Sequence, residues 1–286
     1  MPEGPEVKKV VDKLKRKLIK KNLININILN GRYKKKEPSN WNKLLDSLPL
    51  NISKISCKGK FIYIEFYDTD LVLFNTLGMS GYWFTLNELN QQLDSGYYSK
   101  KHNNIEFIFE DNVDKQKKYT YYFNDMRNFG TLIVSDKEDL NNKLNTLGID
   151  VLNPKNEFNE FKIKLCREIN LNKMIGSLLL NQTIVAGCGN YMRAEVLYFA
   201  KVNPYTFVKD LTDKNLKDIY KYLKKVAYIF YNKKLGIKYG ILTDNDKLIK
   251  LYKTERVFLI YGQDYGPNGE KIISNKMEDR TIHYVL

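Results

Sequence analysis

Residues 178–200 of the 286-residue chain read LLLNQTIVAGCGNYMRAEVLYFA. Apolar residues recur at helical spacing on both sides of a segment holding Gly187 and Gly189. The second helix opens at Asn190, a residue type suited to a helix cap. Glycines let a backbone approach a ligand closely, and free amides at a helix N-terminus bind phosphate. A plain helical hairpin explains the periodicity. The doubled glycine ahead of a capping Asn asks for more, a pair of helices whose turn can hold an anion.

The helical texture extends in both directions. It begins near Asn153-Pro154 with FKIKLCREI and KMIGSLLL, and continues past an Asn203-Pro204 stop into LKDIYKYLKKVAYIFYNKK. Upstream the pattern changes. INILNGRY, GKFIYIEFYD, LVLFNTLGMSGYWF, NIEFIFED and YTYYFNDMRNFGTLIVS are rich in β-branched and aromatic residues and punctuated by Gly, Asn and Asp. They predict a β-sandwich reaching to about residue 135. Ahead of it, Val7, Val10, Val11, Leu14 and Leu18 mark one face of an amphipathic helix, with Lys8, Lys9, Lys13, Lys15, Arg16 and Lys17 on the other. Past Lys253, strand signals return in RVFLIYGQ and KIISNKMEDRTIHYVL. Pro267-Asn268-Gly269 lies between them as a turn, so a β-hairpin is expected to close the chain. GIKYGILTDNDK reads as a long loop. The expected class is α+β. Residues 1–135 form an N-terminal helix plus β-sandwich domain, 136–152 a linker, 153–255 a helical domain and 256–286 the hairpin.

Lys and Arg outnumber Asp and Glu by 47 to 33, a formal charge of +14. An excess of this size suits a protein that meets a polyanion, nucleic acid above all. The chain is also rich in Asn, Ile and Tyr, as AT-rich coding sequence produces. The three cysteines, Cys57, Cys166 and Cys188, are isolated, which argues against a disulfide framework or a Cys-based zinc site and for a reducing compartment. No uncharged apolar run is long enough to span a membrane, and no apolar signal segment opens the chain. An intracellular protein, not secreted, is expected.

The opening, MPEGPEVKKVVDKL, has an ordinary reading as a helix start, with proline and acidic residues in the first turn. It has a chemical reading too. Loss of the initiator methionine would expose Pro2 as an N-terminal amine. With a reference pKa near 8 against about 10.4 for lysine, roughly a quarter of an α-amine is unprotonated at pH 7.5, compared with about 0.1% of a lysine. Such an amine is a nucleophile for a carbonyl-like carbon, and the adjacent Glu3 is placed to act as a general acid. Lys60, in Lys58-Gly59-Lys60, is either a solvated strand-edge residue or a phosphate or sugar contact. Arg280, in EDRTIHYVL, is either surface decoration or a bidentate phosphate clamp.

Taken together, PEGPEV, the lysine of KGK, LGMSG, DMRNFG, NQ-x4-GCGNYMRAE and the arginine of the closing hairpin resemble the Fpg/Nei family of DNA glycosylases over nearly the whole chain. The form G-x-G-N-Y-x-R-A-E-x-L-Y looks most like the Nei-like branch. The resemblance implies a helix-two-turn-helix motif within the helical domain and a finger hairpin at the end. It makes Pro2 the nucleophile, Glu3 the residue assisting sugar-ring opening, Glu6 a supporting glutamate and Lys60 a catalytic lysine. Asn190 and Arg280 would grip backbone phosphate. Met79, Arg127 and Phe129 would fill the space left by an extruded base, although core packing is the ordinary reading of Met79 and Phe129.

Many members of the family fold the finger around four cysteines and zinc. Here no cysteine follows Cys188, and His283 is the sole candidate ligand in that region, so a zincless finger is expected and no cofactor or metal is implied. Asn181-Gln182 stands where relatives commonly carry Asp-Gln. The implied activity is a bifunctional glycosylase and abasic lyase. It would remove oxidised bases, pyrimidines and hydantoins above all, through a Pro2 Schiff base and β,δ-elimination. The expected partner is damaged DNA, duplex and also single-stranded, met by a monomer in the nucleus or another DNA-containing compartment, with no membrane involved. A second reading is a protein that has lost catalysis and binds damaged or single-stranded DNA. The preserved Pro2, Glu3 and Lys60 argue against it, since binding alone needs none of them.

Overall fold

Buried valines and leucines at three-and-four spacing draw the first helix, α1 (Gly4–Leu18), onto a sheet. Val7, Val10, Val11, Leu14 and Leu18 are each no more than 1% exposed. At about 1.5–3 kcal/mol per buried side chain, this face outweighs the marginal intrinsic stability of a 15-residue helix with β-branched Val7, Val10 and Val11. Lys15, Arg16 and Lys17 occupy its last turn, where the helix dipole favours cations. The computed structural model describes residues 2–92, 99–155, 157–253 and 256–286. Met1 and the expected domain boundary at residue 255 lie outside the described residues. The chain divides into two compact units, Pro2 with Val7–Leu144, and Glu3–Glu6 with Asn145–Leu286.

In the first unit, α1 is followed by β1 (Lys21–Ile28), α2 (Trp41–Asp46), β2 (Leu50–Lys58), β3 (Phe61–Phe66), β4 (Leu71–Thr76), β5 (Tyr82–Thr85), α3 (Leu86–Gln92), β6 (Asn103–Asp111), β7 (Lys118–Asn124) and β8 (Thr131–Asp136). Among the described residues, eight strands form one antiparallel ladder in the order β5-β7-β6-β1-β2-β3-β4-β8. β1 and β2 share only the pairs Asn22–Asn51 and Leu23–Leu50, and the ladder folds there. The fold is visible in Trp83 of β5, whose Nε1 donates to Asn75 Oδ1 of β4 at 3.0 Å although the two strands sit in opposite halves of the ladder. Both residues are fully buried. The halves face each other as the two layers of a sandwich, with α1 packed into the same core.

The stretch 136–152, expected as a linker, is ordered structure. It holds α4 (Lys137–Thr146) and β9 (Ile149–Asp150). Asp136 caps that helix by accepting the amide of Asp139 at 2.8 Å, and Glu138 and Asp139 lie in its first turn.

The second unit continues with α5 (Phe158–Leu165), α6 (Ile175–Leu178), β10 (Val185–Ala186), α7 (Asn190–Ala200), α8 (Asp213–Tyr231), α9 (Lys233–Lys238), α10 (Lys247–Leu251), β11 (Ile273–Met277) and β12 (Arg280–Tyr284). α8 starts on a capping box made by Thr212 and Asn215. α7 is buried over most of its length, between α8 and the loops around it. β10 pairs in parallel with β9. GIKYGILTDNDK is a loop only in part, since Gly236–Lys238 belong to α9 and Leu242 is buried in the helical core.

RVFLIYGQ is not a strand. The amides of Leu259, Ile260 and Tyr261 all converge on the Glu195 carboxylate, at 3.2, 2.9 and 3.0 Å. Successive amides in a strand point to opposite sides, so three that meet one carboxylate cannot belong to a strand. Pro267-Asn268-Gly269 turns the chain between the bridged residues Tyr265 and Lys271, ahead of the terminal hairpin. The hairpin's own tip is Glu278-Asp279, with Glu278 at φ +53°.

Candidate active site and nucleic-acid interface

The N-cap of α7 is Gly189, which has no side chain to cap with, and Asn190 is the first helical residue. The cap comes from the far end of the chain. Glu3 Oε1 accepts the amide of Tyr191 at 2.9 Å, and Oε2 accepts that of Met192 at 3.3 Å. The expectation of free amides awaiting phosphate is therefore corrected, because a buried carboxylate occupies the positive end of this helix. Gly189 is required by close approach. A Cβ there would lie 2.3 Å from Glu3 Cδ.

The neighbouring contacts hold the same segment. The Glu3 amide donates to Glu6 Oε2 at 2.9 Å, and the Gly4 amide donates to Gly187 O at 2.9 Å. Gln182 fixes the loop that carries Gly187, accepting the Gly187 amide at 2.9 Å and donating to Cys188 O at 2.9 Å. The neighbouring Asn181 accepts from the amide and hydroxyl of Thr183, at 2.9 and 2.8 Å. Glu6 is half-buried, and both its oxygens take the Tyr191 hydroxyl, at 3.1 and 3.0 Å. Burial first, then the charges of Glu6 and Glu3, push the Tyr191 phenol well above its ordinary range, so it remains a donor. Tyr191 and Gln182 were not read as site residues in the sequence. The signal for Tyr191 was its place directly after Asn190 in the quoted stretch.

Pro2 is half-buried and covalently next to this fixed segment. Lys60 sits in the two-residue turn between β2 and β3, where Lys58 pairs with Phe61 and Gly59 takes φ +58°; its side chain is half-buried.

Asn190 is tied to the finger hairpin one residue beyond Arg280. Asn190 Nδ2 donates to Thr281 O at 2.8 Å, and Arg280 is the preceding residue, exposed at the start of β12. Arg193, fully buried, donates through Nη2 to Asn190 Oδ1 at 2.5 Å and to Thr281 O at 3.2 Å, and through Nη1 to Gly176 O at 3.2 Å. Guanidinium offers donors only, so the Asn190 oxygen must face it and the amide nitrogen must face the hairpin. Burial, and to a lesser degree the like charge of Arg280, lower the Arg193 pKa.

The hairpin holds itself by packing Met277, Ile282 and Tyr284 against Met174, Tyr205 and Ile273. Its donor set does not fit a tetrahedral zinc. No cysteine lies beyond Cys188, and His283 stacks edge-on against Tyr261 with a buried Nδ1. Among the described residues, no group of three or more His, Cys, Asp or Glu side chains is arranged to hold a metal. No helix among them is long and apolar enough to cross a membrane.

In the first unit, Met79 and Arg127 meet, with Arg127 Nη1 3.7 Å from Met79 Sδ. Phe129 is 58% exposed, which removes core packing as its explanation.

Residues 1–132 match the family model described as formamidopyrimidine-DNA glycosylase N-terminal domain, and residues 147–229 match that of the formamidopyrimidine-DNA glycosylase H2TH domain. The chain is 32% identical over 213 residues to a formamidopyrimidine-DNA glycosylase of Wolbachia pipientis subsp. Culex pipiens, covering 74% of this chain and 71% of the relative. It is 30% identical over 227 residues to that of Mycoplasma genitalium, covering 79% and 74%. Its fold is similar to Lactococcus lactis Fpg (MutM) in complex with an oxidized pyrimidine containing DNA, with a TM-score of 0.74 at 23% identity over 99% of this chain and 98% of the other. The same score relates it to that enzyme bound to a FAPY-dG containing DNA, covering 98% and 97%. Glu3 and the helix it caps, α7 with Asn190, thus stand within matched domains, and the chain belongs to the formamidopyrimidine-DNA glycosylase family.

Proposed function

We propose that the protein is a bifunctional DNA glycosylase and abasic-site lyase of base excision repair, of the Nei-like kind with a zincless finger. The observation that supports this most is the hold on Glu3 and Gly4, which fixes the residue bonded to Pro2 from both sides of its backbone. A nucleophile at a chain end is otherwise mobile.

With the methionine removed, the Pro2 nitrogen attacks C1′ of the damaged nucleotide. The base departs with the glycosidic electron pair and takes a proton from solvent, while the proton on the Pro2 nitrogen passes to the Glu3 carboxylate, which delivers it to O4′ as that oxygen leaves C1′ and the ring opens. The product is an iminium between Pro2 and C1′. It acidifies the C2′ hydrogen, so loss of that proton expels the 3′ phosphate, and a second elimination releases the 5′ phosphate. Lys60, Asn190 and Arg280 hold backbone phosphate during this sequence, and Glu6 supports Glu3 through its amide. Met79, Arg127 and Phe129 occupy the vacated space in a duplex. Oxidised pyrimidines and hydantoins are the favoured substrates. The protein would act as a monomer on damaged DNA, duplex or single-stranded, in a DNA-containing compartment.

Borohydride trapping on an oligonucleotide carrying an oxidised pyrimidine, with mass spectrometry of the cross-linked peptide, tests the reading. An adduct on Pro2 is expected, and Pro2→Gly should lose it while still binding DNA. Tight binding with no adduct from a verified free Pro2, on pyrimidine and purine lesions alike, would establish a DNA binder instead.

A further inference from the structure

Two buried side chains outside the catalytic set join the turn that carries Met79 to the loop that carries Arg127 and Phe129. Asp125 is fully buried and Ser80 is 3% exposed. The Ser80 hydroxyl donates to Asp125 Oδ1 at 2.5 Å, and Asp125 Oδ2 accepts the Gly130 amide at 2.6 Å. A carboxylate offers only acceptors, so the Ser80 proton must point at it, and the Ser80 oxygen turns its lone pairs to the Arg127 amide, 3.0 Å away. The backbones themselves are mated. Gly78 has φ +57°, and a Cβ there would lie 2.5 Å from Gly130 N and from Phe129 C. The loop is also braced from behind, where Asn104 Nδ2 donates to Asp125 O at 3.1 Å and to Asn128 Oδ1 at 2.9 Å.

We propose that Ser80 and Asp125 are positioning residues that lock the Leu77–Gly81 turn to the 125–130 loop, so that Met79, Arg127 and Phe129 enter duplex DNA as one preassembled wedge. This rests on the reading of the chain as a DNA-acting member of its family. The physical reason is ordering entropy. Three side chains on two independent loops would each have to be ordered on binding, whereas a shared buried carboxylate orders them beforehand. The wedge is needed only where an opposite strand leaves an orphaned base, so the pair should matter for duplex DNA and much less for a single strand.

The test compares wild type with Ser80→Ala and Asp125→Asn on one abasic oligonucleotide, single-stranded and in duplex, after thermal melts establish which variants fold. The ratio of duplex to single-strand cleavage should fall about tenfold in each folded variant, as expected for losing hydrogen bonds to a buried charged group. An unchanged ratio, whether both rates persist or both decline together, would overturn the proposal. A second readout uses 2-aminopurine opposite a tetrahydrofuran abasic analogue at saturating protein. Wild type should raise its fluorescence, and Ser80→Ala should raise it by less than half as much; equal amplitudes would count against the wedge. Should wild type cleave neither strand form, the enzyme reading fails, while the fluorescence arm still decides the positioning role.

Discussion

Glu3 Oε1 accepts the backbone amide of Tyr191 at 2.9 Å, joining residues 188 positions apart in the chain. One carboxylate thus does two jobs within the second unit. It caps α7, and it fixes the backbone to which Pro2 is bonded. Stability and chemistry should therefore respond together when it changes.

Glu3→Gln retains one acceptor but sets an amide nitrogen against the Met192 amide. Unfolding in urea should show a loss of about 1–2 kcal/mol, the usual range for a helix cap, together with loss of Schiff-base trapping. Unchanged stability would mean that α7 needs no cap from the N-terminus.

Gly189→Ala places a methyl group 2.3 Å from Glu3 Cδ. Overpacking of this kind costs about 1–3 kcal/mol, and the displaced carboxylate should take catalysis down with it. Cleavage at wild-type rate would show that the contact tolerates displacement.

Asn190→Asp separates binding from folding. The new carboxylate pairs with buried Arg193, so the melting temperature should hold or rise. It cannot donate to Thr281 O, and it brings negative charge toward phosphate, so affinity for duplex DNA should fall at least about tenfold. Fluorescence anisotropy at fixed salt reads the second effect and calorimetry the first.

Lys224 gives a pH signature. It is 5% exposed, its ammonium donates to Asn153 O, and burial lowers its pKa from 10.5 to about 8. Between those values the unfolded chain keeps a proton that the folded one has released, so stability gains from this group as pH rises. Relative to Lys224→Met, wild type should gain about 1–2 kcal/mol between roughly pH 7.5 and 9.5. A difference that stays flat or declines over that window would contradict the burial effect.

Much of the architecture was legible in order along the chain. The valine and leucine spacing of α1, the alternating aromatic strands and the glycine-flanked Asn190 are local patterns, and local patterns follow from helical and strand periodicity. The helix at 137–146 replaces the expected linker because Asp136 and the acids after it cap it locally. RVFLIYGQ has a strand's composition but not its conformation, because Glu195, more than sixty positions earlier, collects its amides and nothing in those residues encodes that. The same holds at the site. Pro2, Glu3 and Lys60 stood out by residue type and neighbours. The capping of α7 by Glu3, the bridging of Glu6 by Tyr191, the orientation of Asn190 by Arg193 and the Ser80–Asp125 pair emerge only in the folded molecule. Hydrogen bonds between distant segments depend on which surfaces meet, and no periodicity encodes that. Residue types and spacing set which groups were available for chemistry, and the packing of remote segments set which way each one points.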